Sequence, residues 1–278
     1  MNDRALREAE DQEAEDRSSP SGKIIYKAIL SEAREELERP SSALFWSGFA
    51  AGLAMGFSMV AEALLTTYLP DTPSRMLIAK LGYSAGFLIV VLGRQQLFTE
   101  NTLTPILPLL QQRDVHTLYN VARLWVLVLI ANLLGAAAFG WVAARTSAFD
   151  PSVQDTFLAM ATRAMAPGFA TILLRGVFAG WLIALMVWLL PFAESGRIWV
   201  ILFVTYLVGI GEFSHVVAGG VEVFTLTAAG GQSWLVVLGQ YVVPTLIGNI
   251  VGGVTLVAIL NHAQIVSGNR APDIAKRS

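Results

Sequence analysis

The sequence contains no cysteine and has few charged residues for its length. Only 14% of its 278 residues are Asp, Glu, Lys or Arg, whereas soluble proteins carry about 25%. The missing cysteines exclude disulfides, iron–sulfur clusters, thiolate zinc sites and cysteine nucleophiles. The net charge of -2 offers no basic excess for nucleic-acid binding. These shortages exclude an ordinary soluble protein and predict an integral membrane protein that lies in a lipid bilayer.

Motifs of enzymes and metal sites are also missing. The glycine pairs of the chain lack the Lys-Ser/Thr of a phosphate-binding loop, and there is no Gly-x-Ser-x-Gly elbow. Glu212 and His215 have the Glu-x-x-His spacing, but a di-iron bundle needs two such motifs and two further glutamates. We therefore expect no enzyme activity, no metal and no cofactor.

The charges that exist are concentrated at the N-terminus, where the first 40 residues hold 18 of the 40 charged side chains. Residues 1–22 are predicted to be a disordered acidic cytosolic tail. Residues 23–39 show apolar side chains at helical spacing and predict an amphipathic cytosolic helix, with a plain helical linker as the alternative. A transmembrane transport domain is expected over 40–265, followed by a cytosolic tail over 266–278.

The apolar body contains charge-free runs of two lengths. A transmembrane helix needs about 20 apolar residues, so runs of 10 to 14 predict broken helices. The second and fifth of six spans are short in this way. The full spans are expected at 40–61, 124–144, 176–193 and inside 223–269, and the broken ones at 81–93 with 101–112 and from 198 to the cluster of Glu212, His215 and Glu222.

The two breaks occupy the same place in two halves of the body, about 41–145 and 168–265. Three spans in each half make the second half inverted relative to the first. This predicts an all-α integral membrane fold of six transmembrane helices in two inverted three-helix repeats, a transporter pattern with its site at the repeat interface. The matching residues are Asn132 and Gly135 with Asn249 and Gly252, and Leu97, Phe98 and Thr99 with Glu212, Phe213 and Ser214.

The loops suggest an orientation. With the N-terminus inside, ten Lys and Arg side chains beyond the first 22 residues fall on the cytosolic side, whereas Arg75, Lys80, Arg145 and Arg163 fall on the opposite side. Positive charge is enriched in cytoplasmic loops. We therefore expect a multi-pass protein of the plasma (inner) membrane with both termini in the cytoplasm.

Seven ionisable residues lie inside the apolar spans, where a charge costs at least about 2.5 to 3.5 kcal/mol. Most of them flank the two breaks, which favours a polar pathway there. Structural ion pairs are the alternative for the first four. The seven are Glu62, Arg94, Glu100, Arg175, Glu212, His215 and Glu222.

His215 is the sharpest candidate because it follows a helix break deep in a span and can change its charge near neutral pH. A helix that starts just after Ser214 would also point free N–H groups into the same cavity, which suits a small anion. The alternative is a neutral histidine that holds the break together by hydrogen bonds.

Four motifs of the chain together resemble the formate/nitrite transporter family from about residue 23 to 265. The resemblance implies an aquaporin-like protomer with six spans, assembled as a homopentamer, with one pathway per protomer for small monovalent anions. The motifs start at Leu97 (Leu-Phe-Thr-Glu-Asn-Thr), Arg175 (Arg-Gly-Val), Phe213 (Phe-Ser-His) and Pro244 (Pro-Thr-Leu-Ile-Gly-Asn-Ile-Val-Gly-Gly).

The resemblance also implies roles for single residues. It puts Leu97, Phe98 and Thr99 on the loop and constriction, His215 at the pore centre, Phe87 near the cytosolic narrowing and Arg163 in the outer vestibule. Ser214 and Glu212 are expected on the pathway, and Asn132 and Asn249 are expected to support the pore. The chain departs from the family pattern at Gln96, Gly180, Glu212 and Gly219.

A proton-coupled route is energetically competitive with passage of the charged anion. A bare carboxylate entering low dielectric costs of order 20 kcal/mol in the idealised estimate and several kcal/mol in practice. Protonating an acid of pKa about 4 at pH 7 costs about 4 kcal/mol. The hypothesis is that Arg163 attracts the anion, His215 supplies or relays a proton and the neutral acid passes the constrictions. The alternatives are a pore for water or a small neutral solute, and a membrane scaffold or regulatory subunit without transport.

Overall fold

A computed structural model describes residues 22–260 and 263–264, and all regular structure in these residues is helical. The predicted acidic tail, apart from Gly22, and the tail at 266–278 lie outside the described residues. Short 3-10 turns at Lys80–Tyr83 and Glu100–Thr102 join some of the helices. The helices are α1 (Gly22–Glu38), α2 (Ser41–Tyr68), α3 (Arg75–Ala79), α4 (Ser84–Leu92), α5 (Ile106–Gln112), α6 (Val115–Arg145), α7 (Pro151–Met165), α8 (Phe169–Leu189), α9 (Arg197–Ile210), α10 (Ala218–Ala228), α11 (Trp234–Val237) and α12 (Val243–Ile250).

Among the described residues, five helical segments are long and apolar enough to cross a membrane, and α9 is a shorter apolar helix. The last segment includes a π-helical stretch at Leu238–Val242, and a second one, Val251–Ile259, begins inside it and continues beyond its end; the sequence did not predict either. By length and composition, the chain is an all-helical multi-pass membrane protein. The five segments are Ser41–Tyr68, Arg75–Leu92, Val115–Arg145, Phe169–Phe192 and Trp234–Thr255.

Two span boundaries predicted from charge-free runs are wrong because paired charges can lie inside a helix. The first span was expected to end at 61, but α2 continues through Glu62 to Tyr68. The second was expected to begin at 81, but the helical segment already includes Lys80. The Lys80 ammonium lies 2.5 Å from a Glu62 carboxylate oxygen, so neither charge is left alone among apolar groups.

Helix α7 fills a part of the chain for which the sequence predicted no element. Pro151 occupies the first helical position, where its fixed backbone angle and missing N–H are tolerated. Val153, Phe157 and Met160 are buried on one face. The helix therefore packs onto the membrane-spanning helices rather than forming a loose link between them.

Helices α4 and α9 end in the same way. Arg94 and Glu212 both adopt left-handed backbone conformations, with φ of 50° and 48°. The next N–H group in each case reaches back to a helix carbonyl, from Gln95 to Val90 and from Phe213 to Val208, both at 3.0 Å. Such a C-terminal cap stops a helix sharply, and here it does so without glycine. Both breaks are therefore built into the local backbone.

Glycines let two pairs of helices touch backbone to backbone. A Cβ atom at Gly52 of α2 would overlap the carbonyl oxygen of Asn132 in α6. In the same way, a Cβ at Gly180 of α8 would overlap the carbonyl oxygen of Asn249 in α12. Small residues at such crossings allow close van der Waals contact between membrane helices. The contacts bring both asparagines within reach of the two breaks.

Candidate transport pathway

The first helix break is held by the side chain of Asn132. Its Oδ1 accepts a hydrogen bond from the Phe98 N–H at 2.8 Å. Its Nδ2 donates to the carbonyl oxygens of Gly48 at 2.7 Å and Gln96 at 2.9 Å. The side chain is fully buried, so one amide satisfies three backbone groups that water does not reach.

Asn249 holds the second break through the same set of bonds. Its Oδ1 accepts from the Val216 N–H at 3.0 Å, and its Nδ2 donates to the carbonyls of Gly176 and Ser214, both at 2.9 Å. On the two loops, Gln96 therefore corresponds to Ser214, 118 positions later. The internal repeat in the sequence predicts that Thr99 corresponds to Ser214, because both carry a hydroxyl group. That match is wrong, because the hydrogen bonds of the two asparagines to the backbone set the register between the two loops.

The His215 side chain caps the helix that follows it. Its Nδ1 accepts hydrogen bonds from the N–H groups of Val217 at 3.3 Å and Ala218 at 3.1 Å. Its carbonyl oxygen accepts from Gly219 at 2.9 Å, as at the start of an α-helix. The imidazole thus does for α10 what Asn or Asp does at an ordinary N-cap.

The other ring nitrogen of His215 joins the two breaks. Its Nε2 lies 2.7 Å from the Thr99 hydroxyl oxygen. Because Nδ1 accepts two N–H bonds, the hydrogen-bond network assigns the ring proton to Nε2, which donates to Thr99. Protonating Nδ1 as well would sacrifice both bonds at the helix N-terminus. The geometry therefore favours a neutral ring that donates through Nε2.

Aromatic and aliphatic side chains surround this hydrogen bond. The Phe87 ring meets the His215 ring edge-on with centroids 5.0 Å apart, and Tyr83 lies 5.4 Å from Phe87. Leu97 is almost fully buried. The Phe98 ring packs against Trp125 at 5.8 Å. The structure thus places the Phe87 ring in contact with the His215 ring. Phe98 contributes its backbone N–H to the hydrogen bonds of the first break.

A cavity of about 690 Å³, the α1-side cavity, lies beside the first helix break. Helix α1 forms part of its wall, and Leu97 lies at its lining. Glu36 of α1 accepts hydrogen bonds from the Gln96 side chain at 2.9 Å and from Thr104 at 3.2 Å. Burial raises the pKa of the Glu36 carboxyl above its ordinary value. The family resemblance implies an acidic residue at the position of Gln96. In this chain the acidic side chain beside the loop is Glu36, which reaches it from α1.

A smaller cavity of about 60 Å³, the α7-side cavity, lies beside the second helix break and reaches His215. Three of the site residues expected from the sequence line it together with His215, namely Glu212, Ser214 and Arg163. The volume leaves room for only a few water-sized molecules. The small size restricts any occupant to a molecule of a few heavy atoms.

Charges in the α7-side cavity are balanced. Lys80 pairs with Glu62, and Arg175 lies 3.4 Å from Glu212. Arg163 and Glu222 complete a set of three basic and three acidic side chains. In the α1-side cavity, Arg94 pairs with Glu32 at 2.7 Å. The sequence analysis left ion pairs open as the alternative role of four residues, and they account for Glu62, Arg94 and Arg175. Glu100 is the exception, because its buried Oε1 atom has no hydrogen-bond partner in the described part of the chain.

Two further departures from the family pattern have a steric reason. A Cβ at Gly219 would overlap the hydroxyl of Tyr241, which lines the α7-side cavity beside His215. At Gly180 the carbonyl of Asn249 leaves no space for a side chain. Sequence reasoning missed Tyr241 and Glu36 because neither stands out within its own segment, and only the fold brings them to the breaks.

Comparisons with known proteins agree with this geometry. The family model described as Formate/nitrite transporter matches residues 23–263. The inner membrane protein YfdC of Escherichia coli K12 is 38% identical over 251 residues, covering 90% of this chain and 81% of the relative. A probable formate transporter of Methanothermobacter thermautotrophicus is 28% identical, with 87% and 95% covered.

Solved structures share the fold at low sequence identity. A pentameric formate channel with formate bound has a TM-score of 0.68 at 19% identity, with 81% of this chain and 98% of that chain covered. An FNT family ion channel has a TM-score of 0.74 at 17% identity, with 87% and 99% covered. The chain therefore belongs to the formate/nitrite transporter family, whose members are channels and transporters rather than enzymes.

Proposed function

We propose that the chain is a proton-coupled pore for small monovalent anions of weak acids, such as formate or nitrite. The observation that carries the proposal is the Thr99–His215 hydrogen bond, which joins two broken helices between two polar cavities. Family membership and the formate transporter among the relatives support the same substrate class.

The proposed architecture is an aquaporin-like protomer of six transmembrane helices in two inverted three-helix repeats. The matched bonds of Asn132 and Asn249 support it, as do the two left-handed caps at Arg94 and Glu212. We propose that the α1-side cavity and both termini face the cytoplasm and that the protein resides in the inner membrane, since Lys and Arg are enriched on that side. A homopentamer is proposed by analogy with the pentameric formate channel of the same fold.

In this proposal the substrate crosses the apolar constriction as the neutral acid. Transferring the bare anion past Phe87 and Leu97 would cost several kcal/mol, and protonation at pH 7 costs about 4 kcal/mol, so passage as the neutral acid is energetically competitive. The 60 Å³ cavity accommodates a molecule of a few heavy atoms.

His215 contributes to this passage as a neutral hydrogen-bond donor. Relaying a proton through the ring would require protonation of Nδ1, at the expense of its bonds to the N–H groups of Val217 and Ala218. Instead, the Nε2–H group keeps its proton and can turn its hydrogen bond from the Thr99 hydroxyl oxygen to an oxygen of the passing acid. In this proposal His215 therefore takes part in proton-coupled transport by hydrogen bonding to the substrate, and the ring does not itself carry the transported proton.

The decisive experiment replaces His215 with asparagine in full-length protein reconstituted into liposomes. Asparagine retains an oxygen where Nδ1 lies, so it can still cap α10, but it lacks the Nε2 donor. We expect the uptake of labelled formate driven by a pH gradient to fall about tenfold, the worth of one hydrogen bond of about 1.4 kcal/mol. The matched control is His116→Asn on an exposed turn of α6. Undiminished uptake in His215→Asn would contradict the proposed role.

A pore for water or a small neutral solute is the second candidate, and the charge balance of the α7-side cavity favours it. Net charge of one sign in a cleft raises the local concentration of the opposite ion. Three acidic and three basic side chains cancel much of that effect. Stopped-flow swelling without an anion gradient separates the two, because only a neutral-solute pore gives rapid volume change there.

A further inference from the structure

Two carboxylates, one in each cavity, have no basic partner close by. Glu222 lines the α7-side cavity, and Glu100 lines the α1-side cavity. Within residues 22–260, neither lies within 4 Å of a Lys, Arg or His nitrogen, although most of their acidic neighbours do. Carboxylates without such a partner are unusual in a pore for anions, because they repel the charged substrate.

Both carboxylates lie close to the Thr99–His215 bond along the chain. Glu100 directly follows Thr99 in the 3-10 turn after the first break. Glu222 lies in α10 three residues after Gly219, so these two share one helix face, whereas His215 lies in the break, three residues before the first residue of the helix. Glu222 and His215 line the same cavity. One carboxylate thus stands on each side of the constriction.

The groups around Glu222 leave it available for proton exchange. Glu62 of α2, Glu212 beside the break, Lys80, Arg175 and Arg163 of α7 face the same cavity, together with the hydroxyls of Tyr83 and Tyr241. Lys80 and Arg175 are held by Glu62 and Glu212. Arg163 is exposed and more than 4 Å away. Glu222 is therefore the acidic side chain of this cavity that no ion pair holds among the described residues, and it remains free to exchange a proton.

The surroundings of Glu100 are similar. Glu36, Glu32 and Glu35 of α1 line the same cavity, with Arg39, Arg94 and Arg197. Arg94 is held by Glu32. The Glu100 Oε1 atom is buried and has no hydrogen-bond partner among the described residues. A buried carboxylate oxygen without a donor is costly when charged, and protonation relieves that cost.

We propose that Glu222 and Glu100 are the proton donor and acceptor of the pathway, an inference that rests on the proposed function. Protonated Glu222 gives its hydrogen to the anion in the α7-side cavity, so its O–H bond breaks as that of the neutral acid forms. After the acid passes His215, its O–H bond breaks and the proton goes to the Glu100 carboxylate. Water then removes the proton from Glu100 and restores that on Glu222. One anion and one proton cross together.

This assignment also defines the substrate class. Formate, nitrite and acetate are the conjugate bases of weak acids, so each can accept a proton from a carboxylic acid. Chloride and nitrate are the conjugate bases of strong acids and cannot take a proton from it. We therefore expect transport of formate, nitrite and acetate and exclusion of chloride and nitrate.

The test measures formate uptake into liposomes that contain the full-length protein, as a function of pH. Glu222→Gln and Glu100→Gln are each expected to lower uptake at least about tenfold, since positioned proton donors contribute about a hundredfold or more. Added imidazole buffer at constant pH should restore part of the rate in both variants, because it donates protons in place of the lost carboxyl. The controls are Glu38→Gln on the exposed face of α1, outside the lining of the α1-side cavity, and Asp155→Asn on the exposed face of α7.

The outcomes separate the two levels of the argument. If the wild type carries no small anion, the proposed function fails. If the wild type transports formate and both glutamine variants keep its rate and pH profile, only the proton-transfer assignment is overturned. A loss that imidazole does not relieve also overturns it, because such a loss is structural. Should the glutamine variants fail to fold, Glu222→Asp and Glu100→Asp serve instead, with a shifted pH profile expected and an unchanged profile contradicting the assignment.

Discussion

Replacing Asn132 with alanine should destabilise the protein by removing three hydrogen bonds at once. The variant leaves the Phe98 N–H and the carbonyls of Gly48 and Gln96 without their partner. Hydrogen bonds between membrane helices average about 0.6 kcal/mol in double-mutant cycles. A buried backbone group left unpaired costs about 1 to 3 kcal/mol. Three lost hydrogen bonds at about 0.6 kcal/mol each lower the free energy of unfolding by about 2 kcal/mol. Three unpaired backbone groups at about 1 kcal/mol or more each lower it by at least about 3 kcal/mol.

The assay is thermal unfolding of the purified protein in detergent, with formate uptake in liposomes alongside. A loss of this size corresponds to a fall in Tm of roughly 5 to 10 °C. Asn249→Ala should give a similar fall, since Asn249 makes the same three kinds of bond at the second break. The control is Asn120→Ala in α6, whose amide lies 3.4 Å from the exposed His116 ring.

The result that would refute this reasoning is a Tm of Asn132→Ala equal to that of Asn120→Ala. Such a result would mean that water reaches the break and replaces the lost amide. A large difference between Asn132→Ala and Asn249→Ala would also contradict the equivalence of the two breaks, because their bond sets differ by no more than 0.2 Å in any length.

Two further predictions concern charged groups. Lys80→Met should cost about 3 to 5 kcal/mol in unfolding free energy, because it leaves the buried Glu62 carboxylate unpaired, and Lys80→Met with Glu62→Met should recover most of the loss in Tm. The second concerns Glu36, whose pKa is raised by burial, so the folded protein holds its proton more tightly than the unfolded chain does. Its contribution to the docking of α1 is therefore complete in acid and is lost as pH rises above about 4.5. A single cysteine placed at Ala33, which is buried while α1 is docked, should become more reactive towards a maleimide as pH rises, relative to a free thiol. Glu36→Gln should remove that dependence, and equal profiles in the two proteins would contradict the prediction.

The parts that could be predicted from the sequence are those in which a single residue type stands out from its surroundings. His215, Asn132 and Asn249 are isolated polar groups in apolar runs, where an unpaired polar group is too costly to be incidental. The charge-free runs located the breaks because a helix interrupted in mid-membrane leaves two short apolar segments. Both kinds of signal depend on local composition alone.

Other features could not be predicted because they depend on pairs of distant residues. Glu62 and Lys80 are acceptable inside spans only because they meet each other, which moved two predicted boundaries. Glu36 reaches Gln96 from a helix 60 positions earlier in the chain. Tyr241 occupies the space that a side chain at Gly219 would need, and no local pattern marks that contact.

The scarcity of charge thus decided the class of protein, since the lipid bilayer penalises each polar group one residue at a time, and the absence of cysteine excluded thiol chemistry. The tertiary structure decided the chemistry of the pathway, since hydrogen bonds and ion pairs are properties of two groups and their distance. His215 is the clearest case. The sequence placed it at a helix break, but only the folded chain shows Nδ1 occupied by two N–H groups and Nε2 turned towards Thr99.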